Sequence, residues 1–162
     1  MHKHDAKCQQ YELYASEGGV QHGREFETLD ELQAWVDALR DEIWWERFYP
    51  QVLRVEVALA PRGGSVGAWF PREKAGQIEM GPHHRNELVV LHELAHVLAD
   101  ARYKSQAHCP WFARVYLELV YFVMGADAFN ALHDAFHEHG IEHDPPRGDF
   151  EWGRHREVGA VS

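Results

Sequence analysis

The segment His92-Glu93-Leu94-Ala95-His96 carries the residue types and spacing of a metal-dependent hydrolytic centre. In a helix, positions i and i+4 stand one above the other on one face, so His92 and His96 can offer two imidazoles to a single ion. Glu93 lies about 100° round the axis, close enough to lean towards a metal-activated water without being a ligand. Zn²⁺ held by three protein ligands keeps a position for water and lowers its pKa to about 7. Glu93 would then act as general base, taking the water's proton and passing it to a leaving amine.

A third ligand is required, and three residues compete for the role. His108 comes twelve residues after His96, just before a proline-initiated helix, where its side chain can point back across the active helix; it is the favoured choice. Glu118 is the rival from within the following helix, and otherwise forms an exposed pair with Arg114 one turn earlier. Asp100 follows His96 by one turn and suits a carboxylate that orients an imidazole better than a ligand. Cys109 reads as a small buried thiol.

The surrounding elements must bring these residues together. Thr28-Leu29-Asp30-Glu31 is a capping box, and Leu32, Trp35, Val36, Leu39 and Ile43 recur at helical spacing behind it, predicting a helix over roughly 29–45 that Pro50 prevents from continuing. Leu53, Val55, Val57 and Leu59 alternate with Arg54, Glu56 and Ala58 as in a half-buried strand. Ser65–Phe70 and Gln77–Met80 read as two more strands, and Tyr11–Ala15 as a further short one. The last of the three, Gln77–Met80, is a candidate sheet edge. Leu88–Leu98 is apolar nearly all round, as a central buried helix is. Pro110 opens a helix to about Met124; Asp127 caps a last one, with Phe129, Leu132 and Phe136 inward and Gly140 as its stop.

Length and composition agree with one domain: 162 residues, 45% hydrophobic and 26% charged. No apolar run is long enough to span a bilayer and the polar start has no signal-peptide core, so a cytoplasmic protein with no membrane association is expected. Cys8 and Cys109 are expected as free thiols. The formal charge of −10 argues against a nucleic-acid partner, because phosphate binding concentrates Lys and Arg. Histidine is abundant, 13 residues, which includes a second i, i+4 pair, His133 and His137, read here as an exposed polar face, and His2 and His4 at the start. His83, His84, Tyr103 and Tyr121 are further candidates for polarising a carbonyl. Trp44, Trp45 and Phe48 read as core.

The stretch from Glu87 to Leu98, followed by His108-Cys109-Pro110-Trp111-Phe112, resembles SprT-like zincin metalloproteases, in which a histidine at an H-G-x-x-F-like helix start completes the zinc site. The chain is closer still to a family of short proteins classed as zinc metallohydrolases of actinobacteria and their phages. The shared features there are Phe26-Glu27-Thr28-Leu29 leading into Trp35-Val36-Asp37, the Trp44-Trp45 pair, and Leu117-Glu118-Leu119-Val120 with Met124-Gly125. This resemblance covers roughly residues 11–140 and implies Zn²⁺ on His92, His96 and His108 with Glu93 as catalytic base. It supplies no substrate. Cys109 stands where the SprT-like pattern has glycine, and the C-terminal zinc ribbon and basic surface of those proteases are missing. The metzincin spacing fails at Ala99 and Arg102.

The expected fold is therefore a single α+β zincin-like domain over residues 1–140: an N-terminal helix, a small, mostly antiparallel sheet, the HExxH helix and two more. Residues 141–162 are expected to form an extended, partly disordered tail. The expected function is a zinc-dependent hydrolase, a metallopeptidase acting on a peptide or protein substrate. The alternative is a non-catalytic interaction protein stabilised by zinc. A protease that cuts a repressor is a third idea, without a helix-turn-helix in the chain to support it.

Overall fold

The computed structural model describes residues 13–14, 16–105 and 107–143. Thr28 starts helix α1 (Leu29–Arg40) as its sequence requires: the hydroxyl accepts the Glu31 N–H at 3.1 Å. The Glu31 carboxylate reaches past the cap residue to the Glu27 N–H at 3.1 Å and pairs with Arg24. Leu32, Val36 and Leu39 are buried. The expected continuation to residue 45 does not occur. Asp41 turns its N–H back onto the carbonyls of Ala38 and Leu39, and a separate helix α2 (Ile43–Phe48) follows. The break leaves Ile43 82% exposed and lets Trp45 drop into the core, where its indole N–H donates to the Val52 carbonyl at 3.1 Å. Trp44 and Phe48 stack on Phe122, so the aromatic cluster is core, as its composition suggests.

Strands β1 (Arg54–Leu59), β2 (Ser65–Phe70) and β3 (Ala75–Met80) form one sheet in the order β1-β3-β2. The tight Phe70–Ala75 turn makes β2 and β3 antiparallel, but β1 pairs with β3 in parallel, Val57 opposite Ile78. The sheet is thus mixed, and the expected edge strand is its centre. Burial explains the order: Ala75, Gly76, Ile78 and Met80 are buried, whereas β1 and β2 each leave residues exposed. A strand with that much surface to hide takes the middle place, and among the described residues β2 has a strand on one side only.

Helix α3 (Glu87–Tyr103) starts at Asn86, whose side chain accepts the Val89 N–H at 3.0 Å. Ten of its residues are buried, from Leu88 to Ala99, as expected of a central helix. Segment 22–26 lies along its start. Glu87 and Leu88 donate their N–H groups to the Arg24 and His22 carbonyls at 3.0 and 3.1 Å, satisfying donors that a helix end otherwise leaves open. Helix α4 (Pro110–Met124) opens with its proline, and α5 (Ala126–Glu138) follows after Gly125. Gly125, not Asp127, is the cap of α5; Asp127 sits in the first turn, where its charge favours the helix dipole. Gly140 ends the helix at φ +67°, and Ile141 folds back, buried, with its N–H on the Phe136 carbonyl at 2.8 Å.

Leu13, Tyr14, Ser16 and Glu17 are helical, so the short strand expected there is not formed. Tyr11, Glu12 and Ala15 of that segment, His2, His4, Cys8 and the tail from 144 to 162 lie outside the described residues. Among the described residues, no helix is long and apolar enough to cross a membrane.

One close approach sets the distance between sheet and α3. A Cβ on Gly67 would stand 2.2 Å from the Glu93 carbonyl oxygen, backbone against backbone, with no rotamer to relieve it. Gly67→Ala should therefore destabilise by about 1–3 kcal/mol, the range for overpacking. Gly19→Ala, where a Cβ meets nothing within 4 Å, should stay within about 0.5 kcal/mol of wild type. Urea unfolding of the two variants measures the difference, and equal midpoints would contradict the packing described.

Candidate metal centre

Three ring nitrogens converge from two elements. His92 and His96 project from one face of α3, and His108 enters from the loop before α4. His108 Nε2 stands 3.0 Å from His92 Nε2 and 3.1 Å from His96 Nε2, and one ligand atom from each residue lies within 4.8 Å of the others. The loop reaches this position by sharp turns: Lys104 closes α3 at φ +52° and Ala107 takes φ +59° just before His108. Cys109 puts its Sγ 2.6 Å from the Ser105 hydroxyl, tying the loop's two ends; it is a free thiol outside the trio.

Burial makes this trio difficult to satisfy without a cation. His92 and His108 are 2% and 7% exposed. The Nδ1 of His92 lies 2.5 Å from a Glu17 carboxylate oxygen and so carries the proton, leaving its Nε2 as a lone pair aimed at His108. A single N–H on His108 or His96 can serve only one of the two short contacts well. The other sets lone pair against lone pair. A cation at the centre accepts all three. Ligands at 2.0–2.1 Å from a tetrahedral zinc stand about 3.3 Å apart, within a few tenths of an ångström of the two distances from His108 Nε2. The residues present fit the ion.

The electrostatics point the same way. Burial, with His92 and His108 nearby, holds His96 down at about 2, and burial beside His92 holds His108 at about 4, so both rings are neutral and ready to donate near pH 7. His92 differs. Burial pushes its pKa down, but the Glu17 hydrogen bond and charge, with Glu93, more than offset this and the net shift is upward. Its affinity for a positive centre is built in by the carboxylate behind it.

Glu93 is buried and belongs to α3, yet β2 holds its side chain. The Ser65 hydroxyl donates to Oε1 at 2.6 Å, and the Gly67 N–H supplies a backbone hydrogen bond. Burial raises the carboxyl above the ordinary range, opposed by His92 and Ser65. A carboxylate raised in this way holds a proton more readily than an exposed one.

Aromatic rings line the rest. Phe112 stacks on His96 at 4.2 Å between centroids and meets His92 at 5.1 Å and His108 at 4.9 Å, which gives the phenylalanine of the helix-start motif its role as an apolar floor. Tyr116 packs against His92 at 5.3 Å, and the half-exposed Tyr14 lies parallel to it at 5.6 Å.

The other candidates fall elsewhere. Glu118 is not an exposed partner of Arg114 and not in the trio. It is buried among Arg102, Arg114 and Tyr49, with its pKa pushed up to about 8 by burial against the pull of the two arginines. Asp100 is half-buried and outside the trio; Glu17 fills the orienting role assigned to it. His83 and His84 are exposed in the turn before α3. Tyr103 stacks on Trp111 and Tyr121 meets Phe129, so the tyrosines beside the histidines are Tyr14 and Tyr116 instead. His133 stacks on Phe129 and meets His143 at 4.9 Å, and its helical partner His137 is exposed.

Sequence reasoning missed Glu17, Ser65 and Gly67, which lie 75, 28 and 26 residues from their partners and carry no local pattern. Tyr116 was within reach: Phe112 and Tyr116 stand one turn apart on one side of α4.

His108→Ala should reduce zinc from about one equivalent to a small fraction, while Glu118→Ala, although destabilising, should leave the folded fraction with full zinc; elemental analysis of the dialysed proteins reads both, and the opposite pattern would move the third ligand to Glu118. Comparison with family models, with curated proteins and with solved structures finds no match, so the centre is defined by its own geometry.

Proposed function

We propose that this protein is a zinc-dependent hydrolase of the zincin-like type, acting on a peptide or amide carbonyl. The observation that carries the reading is the convergence of His92, His96 and His108 beside a buried carboxylate that is not one of them. When bound there, a zinc ion supplies Lewis acidity, lowering the pKa of water to about 7 and polarising a carbonyl.

The chain's own residues do the rest. His92, His96 and His108 would hold the ion, their ring nitrogens already converging. Glu93 takes the proton of the attacking water and delivers it to the departing nitrogen, so no free amide anion leaves. Ser65 and the Gly67 N–H keep its carboxylate in one rotamer through both transfers. Phe112 excludes water from the floor, which strengthens each electrostatic contact. Beside the site, β2 offers a strand edge that is unpaired among the described residues, suited to an extended peptide through main-chain hydrogen bonds. The acidic chain, −10 in formal charge, disfavours a nucleic-acid partner.

One observation favours a second reading. The Glu93 carboxylate is already satisfied by β2, as it would be in a protein whose zinc only staples α3 to α4. Glu93→Gln separates the two. Zinc content should be unchanged, and cleavage of an unstructured peptide mixture, followed by mass spectrometry, should fall about 10²- to 10⁴-fold. A zinc-loaded wild type that cuts no peptide or amide in the mixture would leave the staple.

A further inference from the structure

We infer that Glu17 is a positioning residue of the metal centre, and that metal uptake locks the N-terminal turn over it. The inference rests on the metal reading above and concerns a part of the chain that the HExxH helix and the His108 loop do not include.

Glu17 is 9% exposed, and its carboxylate stands between two groups of the interior: His92 Nδ1 at 2.5 Å and the hydroxyl of the fully buried Tyr116, to which it is hydrogen-bonded. An imidazole that donates from Nδ1 to a carboxylate presents Nε2 as the lone pair, and its ring cannot rotate without breaking that bond. The contact thereby fixes both tautomer and direction for the most buried of the three ligands. Without the carboxylate, His92 is free to take the other tautomer, which would aim an N–H at the position of the ion.

The turn that carries Glu17 has a second hold on the centre. Tyr14 lies flat over His92, 4° from parallel, and edge-on to His108 at 6.0 Å, so one turn of helix covers two of the three ligands. Leu13 is fully buried beneath it, and the Ser16 hydroxyl donates to the Leu13 carbonyl at 2.6 Å, closing the turn on itself. Downstream, segment 22–26 is pinned to the start of α3. The turn is thus tethered at one end by the backbone and docked at the other by Leu13, Tyr14 and Glu17.

Linkage follows. If Glu17 helps the ion to bind, the bound ion must stabilise the docked turn by the same free energy. Apo protein should open at residues 13–20 more often than the zinc form, while the middle of α3, buried from both sides, should respond less.

Zinc affinity of the full chain, measured by competition with a chromophoric chelator, tests the first half. Glu17→Gln and Glu17→Ala should weaken zinc binding about 10- to 100-fold, the range for loss of such an orienting partner. Glu17→Asp, keeping a carboxylate on a shorter arm, should fall between these and wild type. Equal affinity in all four proteins would overturn the positioning role while leaving the histidine trio intact. A wild type that takes up no zinc would instead overturn the metal reading and this inference with it. Hydrogen exchange of the wild type with and without zinc tests the second half without any variant. Slower exchange at residues 13–20 on adding zinc supports the coupling, and identical exchange there excludes it.

Discussion

One cluster against α3 holds three imidazoles and two carboxylates, Glu17 and Glu93, packed among Leu, Val, Ala, Phe and Tyr side chains. Groups of this kind lose their water on burial, and each must recover an equivalent partner inside the protein. The rest of the structure is arranged around that demand. Glu17 accepts the hydrogen bond of His92 Nδ1; Ser65 and Gly67 donate to the carboxylate of Glu93; and the Nε2 of His108 stands about 3 Å from the Nε2 of both His92 and His96, an arrangement that could hold a metal ion. Helix α3 is therefore apolar all round for two reasons. It is central, and between Leu88 and Leu98 its polar residues are His92, Glu93 and His96 alone.

The sheet serves the same cluster. Gly67 and Gly76 let β2 and β3 lie directly on α3, with no side chain between Gly67 and the Glu93 backbone. A bulkier residue at either position would lift the sheet away and take Ser65 out of hydrogen-bonding reach of Glu93. Glycine is a weak strand former, with no side chain to pack. Its use at these two places is explained by close approach, and the reward is a clamp on Glu93 from a backbone that cannot change rotamer.

What could be read from the sequence follows the range of each interaction. The HExxH spacing is a property of one helix, and its face is fixed by 3.6 residues per turn; so are the Thr28 cap, the Pro110 start and the Gly140 stop, all of which stand where the sequence puts them. His108 was accessible because a helix start so near in sequence has few places to go. The break after Arg40 was not, since Ile43 continues the apolar period yet faces solvent; what ends α1 is the burial of Trp45 against Val52, a contact between separate elements. The parallel pairing of β1 with β3 was hidden for the same reason. Alternation marks a strand's two faces and says nothing of its neighbour or direction.

Glu118 and Glu17 show why residue type and spacing alone could not assign the carboxylates. Glu118 lies within the helix that follows His108, at a position that looks well suited to ligation, yet it faces Arg102 and Arg114, with burial outweighing their pull and its pKa near 8. Glu17 lies 75 residues before His92 with no motif around it, yet touches the ligand directly. Placement in the fold decides both cases. Within α4, Glu118 follows Phe112 by six residues, which at 100° per residue amounts to about 240° past one full turn and carries its side chain away from the histidines that Phe112 packs against. Phe112 and Tyr116, one turn apart, share the face that meets His92. Glu118 and the three histidines therefore face different parts of the interior, and the carboxylate in contact with His92 comes from a turn 75 residues earlier in the chain.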